Sequence, residues 1–327
     1  HFKEAAKAFQ IVTLLVPDMA VGHCKLWLAL KGANELENAR GALSNALALD
    51  AALQTSVSPV LGDTLSDLGD WAEACRVYKM SADASTAAIF GLARCAEMDG
   101  QVDRAVALLR DGIAHGGLGS DVATHVRLGS LLCRQESWEE GVASLKRAVE
   151  LNPKSIVAQT GLGDCLSAHA QVLSQYGAQK DTSEEFRLIS SAISSYQQAT
   201  WLDDAGAVKA HLKLGQLLVR EKRFKEAFSH AHKAAGVNAD TGDPGIRLPA
   251  LLLVADLQSR EGNFKAAEAH LLQARELHAK LPSDQHVGVQ AHDVDEKIAT
   301  VLSQRNQFGA AALRMRGVVR AKPNDAL

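Results

Sequence analysis

The chain has 327 residues, 47% hydrophobic and 22% charged, with a net charge of −3, which is ordinary for a globular protein and too long for a single core. Lys and Arg are spread evenly, so nucleic acid is disfavoured as the main partner. Apolar runs such as Ile11–Val16 and Leu248–Ala255 fall far short of the roughly 20 residues that span a bilayer, so no membrane partner is expected. Alanine accounts for 54 residues and proline for only 7, a composition that favours helix, because Ala loses no side-chain entropy on helix formation and Pro breaks the hydrogen-bond ladder. There is no signal peptide and no initiator Met, and the true N-terminus is expected upstream. The five cysteines, Cys24, Cys75, Cys95, Cys133 and Cys165, form no CxxC. Their odd number and wide spacing predict free thiols in a reducing, cytoplasmic compartment.

In chain order, the first predicted element is a helix with an apolar stripe at Phe2, Ala5, Phe9 and Val12, closed by Pro17. A repeating pattern follows. A Leu and a small residue recur as Leu26-Trp27, Leu61-Gly62, Leu92-Ala93, Leu128-Gly129, Leu162-Gly163, Leu214-Gly215, Val254-Ala255 and Ile298-Ala299. A downstream small residue recurs as Ala5, Ala39, Ala74, Ala105, Gly141, Ala192, Ala227, Ala267 and Ala311, at spacings of 34, 35, 31, 36, 51, 35, 40 and 44. Each period holds two helices of about a dozen residues, with turns marked by Gly69, Gly100, Gly262 and Asn306. The small residues are expected where the two helices cross. Trp71, Trp138, Phe224, Phe264 and Phe308 are expected to fill the space beside the crossing. One such hairpin cannot bury its apolar face alone and must stack on neighbours.

On these residues the chain resembles the tetratricopeptide (TPR) repeat family, whose period is 34 residues. Armadillo or HEAT repeats, which want longer units, fit the spacing worse. The resemblance covers essentially the whole chain and implies an all-α, right-handed α-solenoid. It would hold a half unit at 1–19 and full units at about 20–54, 55–85, 86–121, 122–155, 156–207, 208–247, 248–291 and 292–327. The family's Trp at the fourth position of a unit is absent; His23, His125 and His211 stand at such places. Trp27 occupies a position that wants Gly or Ala, and the closing Pro survives only as Pro17, Pro153 and Pro323.

Three places carry extra length. In the fifth unit, Ile156–Tyr176 stays helix-compatible, Gly177 can end it, and Asp181-Thr182-Ser183 reads as a new N-cap. Two helices lengthened by about two turns are expected, projecting as a spur that either decorates the fold or docks a partner. Asn238–Arg247 and Leu281–Ala291 are predicted loops. His115-Gly116-Gly117 is a shorter break.

No GxSxG, HExxH, Walker A or GxGxxG motif is present, so no catalytic residues are assigned. His230 and His232 are two apart and face different sides of a helix; His270 and His278 are too far apart to chelate without a third element. No metal site, cofactor or small-molecule substrate is therefore expected. Cys95 and Cys165 occupy equivalent places and are expected as small buried hydrophobes. Trp71 and Trp138 are expected in the core.

The resemblance implies that partners bind a concave groove lined by the first helix of each unit. By register its residues are Asp63, Arg94, Glu97, Ser130, Asp164, Lys209, Gln216, Asp256 and Glu296, a polar mixture with no dominant sign. The family's Lys/Asn clamp for chaperone tails is missing: the matching positions hold Cys24 and Leu28, Pro59 and Asp63, Phe90 and Arg94. The expected function is a non-catalytic protein–protein interaction scaffold, a subunit of a multiprotein complex such as transport, ciliary or RNA-turnover machinery. The alternatives are a peptide-binding adaptor using the groove, and a regulatory domain attached to an enzyme. Both ends of the chain are expected to be covered, by more solenoid or by other chains, because raw apolar ends invite aggregation.

Overall fold

A computed structural model describes residues 1–49, 54–80, 86–115, 117–176, 182–236, 243–281 and 290–321. Among them every regular element is helical. The chain divides into two compact units, His1–Leu151 and Asn152–Leu327.

The first unit holds α1 (Phe2–Leu15), α2 (Ala20–Gly32), α3 (Leu36–Leu49), α4 (Gln54–Asp67), α5 (Trp71–Met80), α6 (Thr86–Met98), α7 (Val102–Ala114), α8 (Val122–Arg134) and α9 (Trp138–Leu151). The second holds α10 (Ile156–Tyr176), α11 (Thr182–Leu202), α12 (Val208–Arg220), α13 (Phe224–Gly236), α14 (Pro244–Arg260), α15 (Phe264–Lys280), α16 (Ala291–Gln304) and α17 (Phe308–Ala321). From α2 onward, consecutive helices pack as hairpins, α2 with α3, α4 with α5, and so on to α16 with α17.

The small residues sit at the helix crossings. Ala39, Ala74, Ala105, Ala192, Ala227 and Ala267 are fully buried. A Cβ on Gly129 would come within 2.8 Å of the Gly141 carbonyl oxygen, so two backbones touch there. Tyr78 and Tyr196 replace the Leu that follows this crossing elsewhere, as at Leu43, Leu109 and Leu145. Their rings lie against glycine: a Cβ on Gly62 or Gly91 would meet Tyr78 at 2.5 or 2.4 Å, and one on Gly163 would meet Tyr196 at 2.6 Å. Trp27 is buried despite its small-residue position, and its indole N–H donates to Thr64 Oγ1 at 3.3 Å.

The turn inside each described hairpin is built alike. The residues Asn34, Gly69, Gly100, Glu136, Lys222, Gly262 and Asn306 have φ between 60° and 84°. The next N–H in each reaches back to a carbonyl five residues earlier, as in Glu35 to Leu30, Ser137 to Leu132 and Arg223 to Leu218. This is the Schellman closure of a helix, and it satisfies carbonyls the helix end would strand. Glycine marks three of these turns. Asn34, Glu136 and Lys222 adopt the left-handed conformation without it and were not evident from the sequence.

Helix lengths vary in two ways. α10 and α11 have 21 residues each and are extended beyond the crossing at Gly163 and Ala192, toward the turn that joins them. The places expected to cap that turn, Gly177 and Asp181, lie outside the described residues. α14 and α15 have 17 residues each and are extended at their opposite ends, since the α14–α15 turn at Gly262 stays tight. The predicted loop Asn238–Arg247 therefore stops short. Helix α14 starts at Pro244, with the Asp243 carboxylate accepting from the Gly245 N–H, because Pro is preorganised for the first helical turn and Asp caps it. Phe308 departs from its expected packing role: it is 63% exposed.

Candidate functional site

Six of the nine positions assigned to a partner-binding face are held by other side chains, and two of these, Asp164 and Lys209, hold each other. In the first unit Glu97 on α6 pairs with Arg127 and Arg134 on α8, each at 2.7 Å. Arg94 lies 4.8 Å from the centroid of the Trp71 ring, a cation–π contact that shields a Trp the pattern had placed in the core. Asp63 accepts from the Tyr78 hydroxyl at 2.6 Å. In the second unit Asp164 accepts from Tyr196 at 2.8 Å and pairs with Lys209 at 2.8 Å, and Asp256 pairs with Lys297 at 2.8 Å. Ser130 is half-buried on α8, and Glu296 is exposed on α16.

These pairs form a ladder between first helices of successive hairpins. Its basic rungs, Arg127, Lys209 and Lys297, precede the small residue of the following repeat; only Lys209 was singled out from the sequence. The legible signal was the alternation itself, an acid after the small residue of one repeat and a base before that of the next.

One rung is incomplete. Lys213 stands where Lys297 stands in its own repeat, yet Asp164 is taken by Tyr196 and Lys209. Lys213 instead lines a cavity of about 430 Å³ with Asp164, Ser167, Gln171, Gln216 and Arg220. The nearest carboxylate to Arg220 is that of Glu185, at 3.9 Å. This cavity brings Asp164 and Gln216, two of the nine positions, together.

The three histidines at the family's Trp position share one task. His23 Nε2 lies 2.9 Å from the Pro17 carbonyl, His125 Nε2 lies 3.0 Å from that of Gly119, and His211 Nε2 lies 3.0 Å from that of Asp204. A carbonyl only accepts, so each Nε2 carries the proton and ties the first helix to the segment before it. The other ring nitrogen is then an acceptor. At His23 and His125 it is buried without a partner, whereas at His211 it accepts from His230 Nδ1–H at 2.8 Å. Burial lowers the pKa of both His211 and His230, and at His230 the neighbouring His211 adds to that effect. Among the described residues no group of three His, Cys, Asp or Glu side chains is arranged to hold a metal ion.

The expectation of free thiols is overturned at four cysteines, since Cys75, Cys95, Cys133 and Cys165 are all disulfide-bonded. Cys75 on α5 and Cys95 on α6 form a disulfide, with Cα atoms 5.8 Å apart. The stagger of neighbouring repeats sets this proximity, and spacing along the chain does not reveal it. Cys165 is buried, as is Cys95.

No family model matches the chain, and no curated protein matches its sequence. Solved structures do match its fold. Human IFIT1, determined as a dimer with m7Gppp-AAAA, superposes with a TM-score of 0.62 at 14% identity, over 93% of this chain and 72% of that one. A tetratricopeptide repeat protein from Parabacteroides merdae gives 0.56 at 13% identity, over 86% and 98%. The APC/C hetero-tetramer Cut9–Hcn1 gives 0.59 at 14%, over 92% and 53%. The protein is therefore an all-α stack of helical hairpins. Its particular architecture is the tetratricopeptide-repeat solenoid fold.

Proposed function

We propose that the protein is a non-catalytic scaffold, a subunit of a multiprotein assembly that meets its partners through the flanks of the stack. The observation that carries this reading is the exposure of large apolar side chains on the longest hairpin. Trp201 is 80% and Phe186 65% exposed on α11. Exposed aromatic residues are the usual anchors of protein interfaces. The ladder supports the same reading, since charges paired across repeats are less free to hold an incoming peptide. The neighbour solved as part of the Cut9–Hcn1 hetero-tetramer is consistent with an assembly role. The m7Gppp-AAAA bound by IFIT1 is not carried over: the two chains share 14% identity, and the face described here mixes both signs of charge. Cytoplasmic work remains part of the proposal, and the Cys75–Cys95 bridge then has to be reversible there.

A second reading, a peptide receptor, is favoured by the Lys213 cavity alone. The test separates the two. Stoichiometric partners isolated with the native protein should be lost with Trp201→Ala or Phe186→Ala and kept with Lys213→Ala. Loss with Lys213→Ala, and retention with the aromatic variants, would replace the first reading by the second.

A further inference from the structure

We propose that the Cys75–Cys95 bridge is a thiol-exchange site whose substrate is a small thiol bearing carboxylates, which is captured as a mixed disulfide on Cys75. The bridge joins α5, the second helix of one hairpin, to α6, the first helix of the next. It opens onto a cavity of about 260 Å³ whose lining includes Cys75, Cys95, Lys79, Asp99 and Arg104. That volume admits part of a small molecule and is too small for the active-site surface of a folded redox protein.

The two sulfurs are unequal. Cys75 is half-buried, whereas Cys95 is 4% exposed. An incoming thiolate therefore reaches Cys75. The charges select the attacker. Lys79 and Arg104 form no ion pair among the described residues; the Arg104 guanidinium donates only to the Gln101 side-chain oxygen, at 3.2 Å. Asp99 faces the same cavity and removes one unit of charge, which leaves a net positive rim for a thiol with carboxylates.

The chemistry is ordinary exchange. The thiolate attacks Cys75 Sγ, and a new sulfur–sulfur bond forms as the Cys75–Cys95 bond breaks. Cys95 leaves as a thiolate and takes up a proton. A second molecule of the same thiol then attacks the small-molecule sulfur of the mixed disulfide, and Cys75 departs as a thiol. Two small thiols are oxidised to one disulfide, and their two electrons reduce the bridge. The covalent tie between the two hairpins is then gone.

The test uses the full chain after air oxidation. It is exposed in parallel to glutathione, 2-mercaptoethanol and cysteamine at equal thiolate concentrations, quenched by alkylation, and read by peptide mass mapping. The adduct is expected on Cys75, forming about threefold to tenfold faster with glutathione than with the neutral thiol and slowest with cysteamine, the range two exposed charges supply. The preference should vanish in about 0.5 M salt and in the K79Q/R104Q double variant, whose circular dichroism should match the parent. Unbridged Cys75 and Cys95 after oxidation, an adduct on Cys95, or rates that ignore thiol charge would each overturn the proposal.

Discussion

Equivalent positions in the two compact units make the same first contact and differ in the second. Asp63 and Asp164 each accept from a buried tyrosine that rests on a glycine, but only Asp164 also holds a lysine, Lys209. His125 and His211 each tie a helix start to the segment before it. Only His211 finds a partner for its other nitrogen. Repeat register thus sets the first contact, and residues outside the repeat pattern supply the second. In both tyrosines burial raises the hydroxyl pKa, and the facing carboxylate raises it further.

The comparison breaks most visibly at the glycines. Gly62→Leu and Gly163→Leu should each cost about 1–3 kcal/mol, since the new side chain must displace a buried tyrosine ring. Thermal melting checks this. An unchanged midpoint in either variant would mean the tyrosine does not sit as described. Removing only the hydroxyls should sharpen the contrast: Tyr78→Phe strips Asp63 of its donor and should cost about 1–2 kcal/mol. Tyr196→Phe leaves Lys209 on Asp164 and should cost about half of that. Equal losses in urea unfolding would show that the second partner contributes nothing.

Acid should act next. In an unfolded chain His211 and His230 would each bind a proton near pH 6.5 or so; in the folded pair burial opposes this. The unfolded state then holds more protons below that pH. Stability present in full above about 6.5 is lost as the pH falls. His230→Gln should flatten the dependence of the melting midpoint between about pH 7 and 5, and a midpoint already flat in the parent would defeat the assignment. The smallest effect is expected at the turns. Glu136→Gly and Lys222→Gly relieve a left-handed residue in either unit and should each stabilise by about 0.5–1 kcal/mol. Similar gains would mark the turns as places where the two units do not differ.

The hairpins were legible because a crossing of two backbones demands a small residue, and Ala39, Ala74, Ala105 and Ala227 recur at nearly the family period. The nine face positions were legible as a face and not as contacts. Glu97 with Arg127 and Asp256 with Lys297 depend on how far one hairpin is staggered from the next, a length that no single repeat encodes. The same stagger brings Cys75 to Cys95. The histidines were legible only as a departure from the family pattern: His23, His125 and His211 stand where it carries Trp, and their work as backbone anchors depends on the segment before each helix, which lies outside the pattern. Nor could the sequence tell at which end a hairpin had grown, since α10–α11 and α14–α15 both read simply as extra length.

That last distinction has a practical side. Growth toward the turn, as in α10 and α11, adds about two turns, or roughly 12 Å, of helix past the crossing. Growth at the other end, as in α14 and α15, enlarges the surface that a following hairpin must cover. An insertion after Tyr176 would therefore lengthen a handle without disturbing the stack. A fluorophore or affinity tag placed there offers a way to watch or hold the protein while every helix crossing stays as it is.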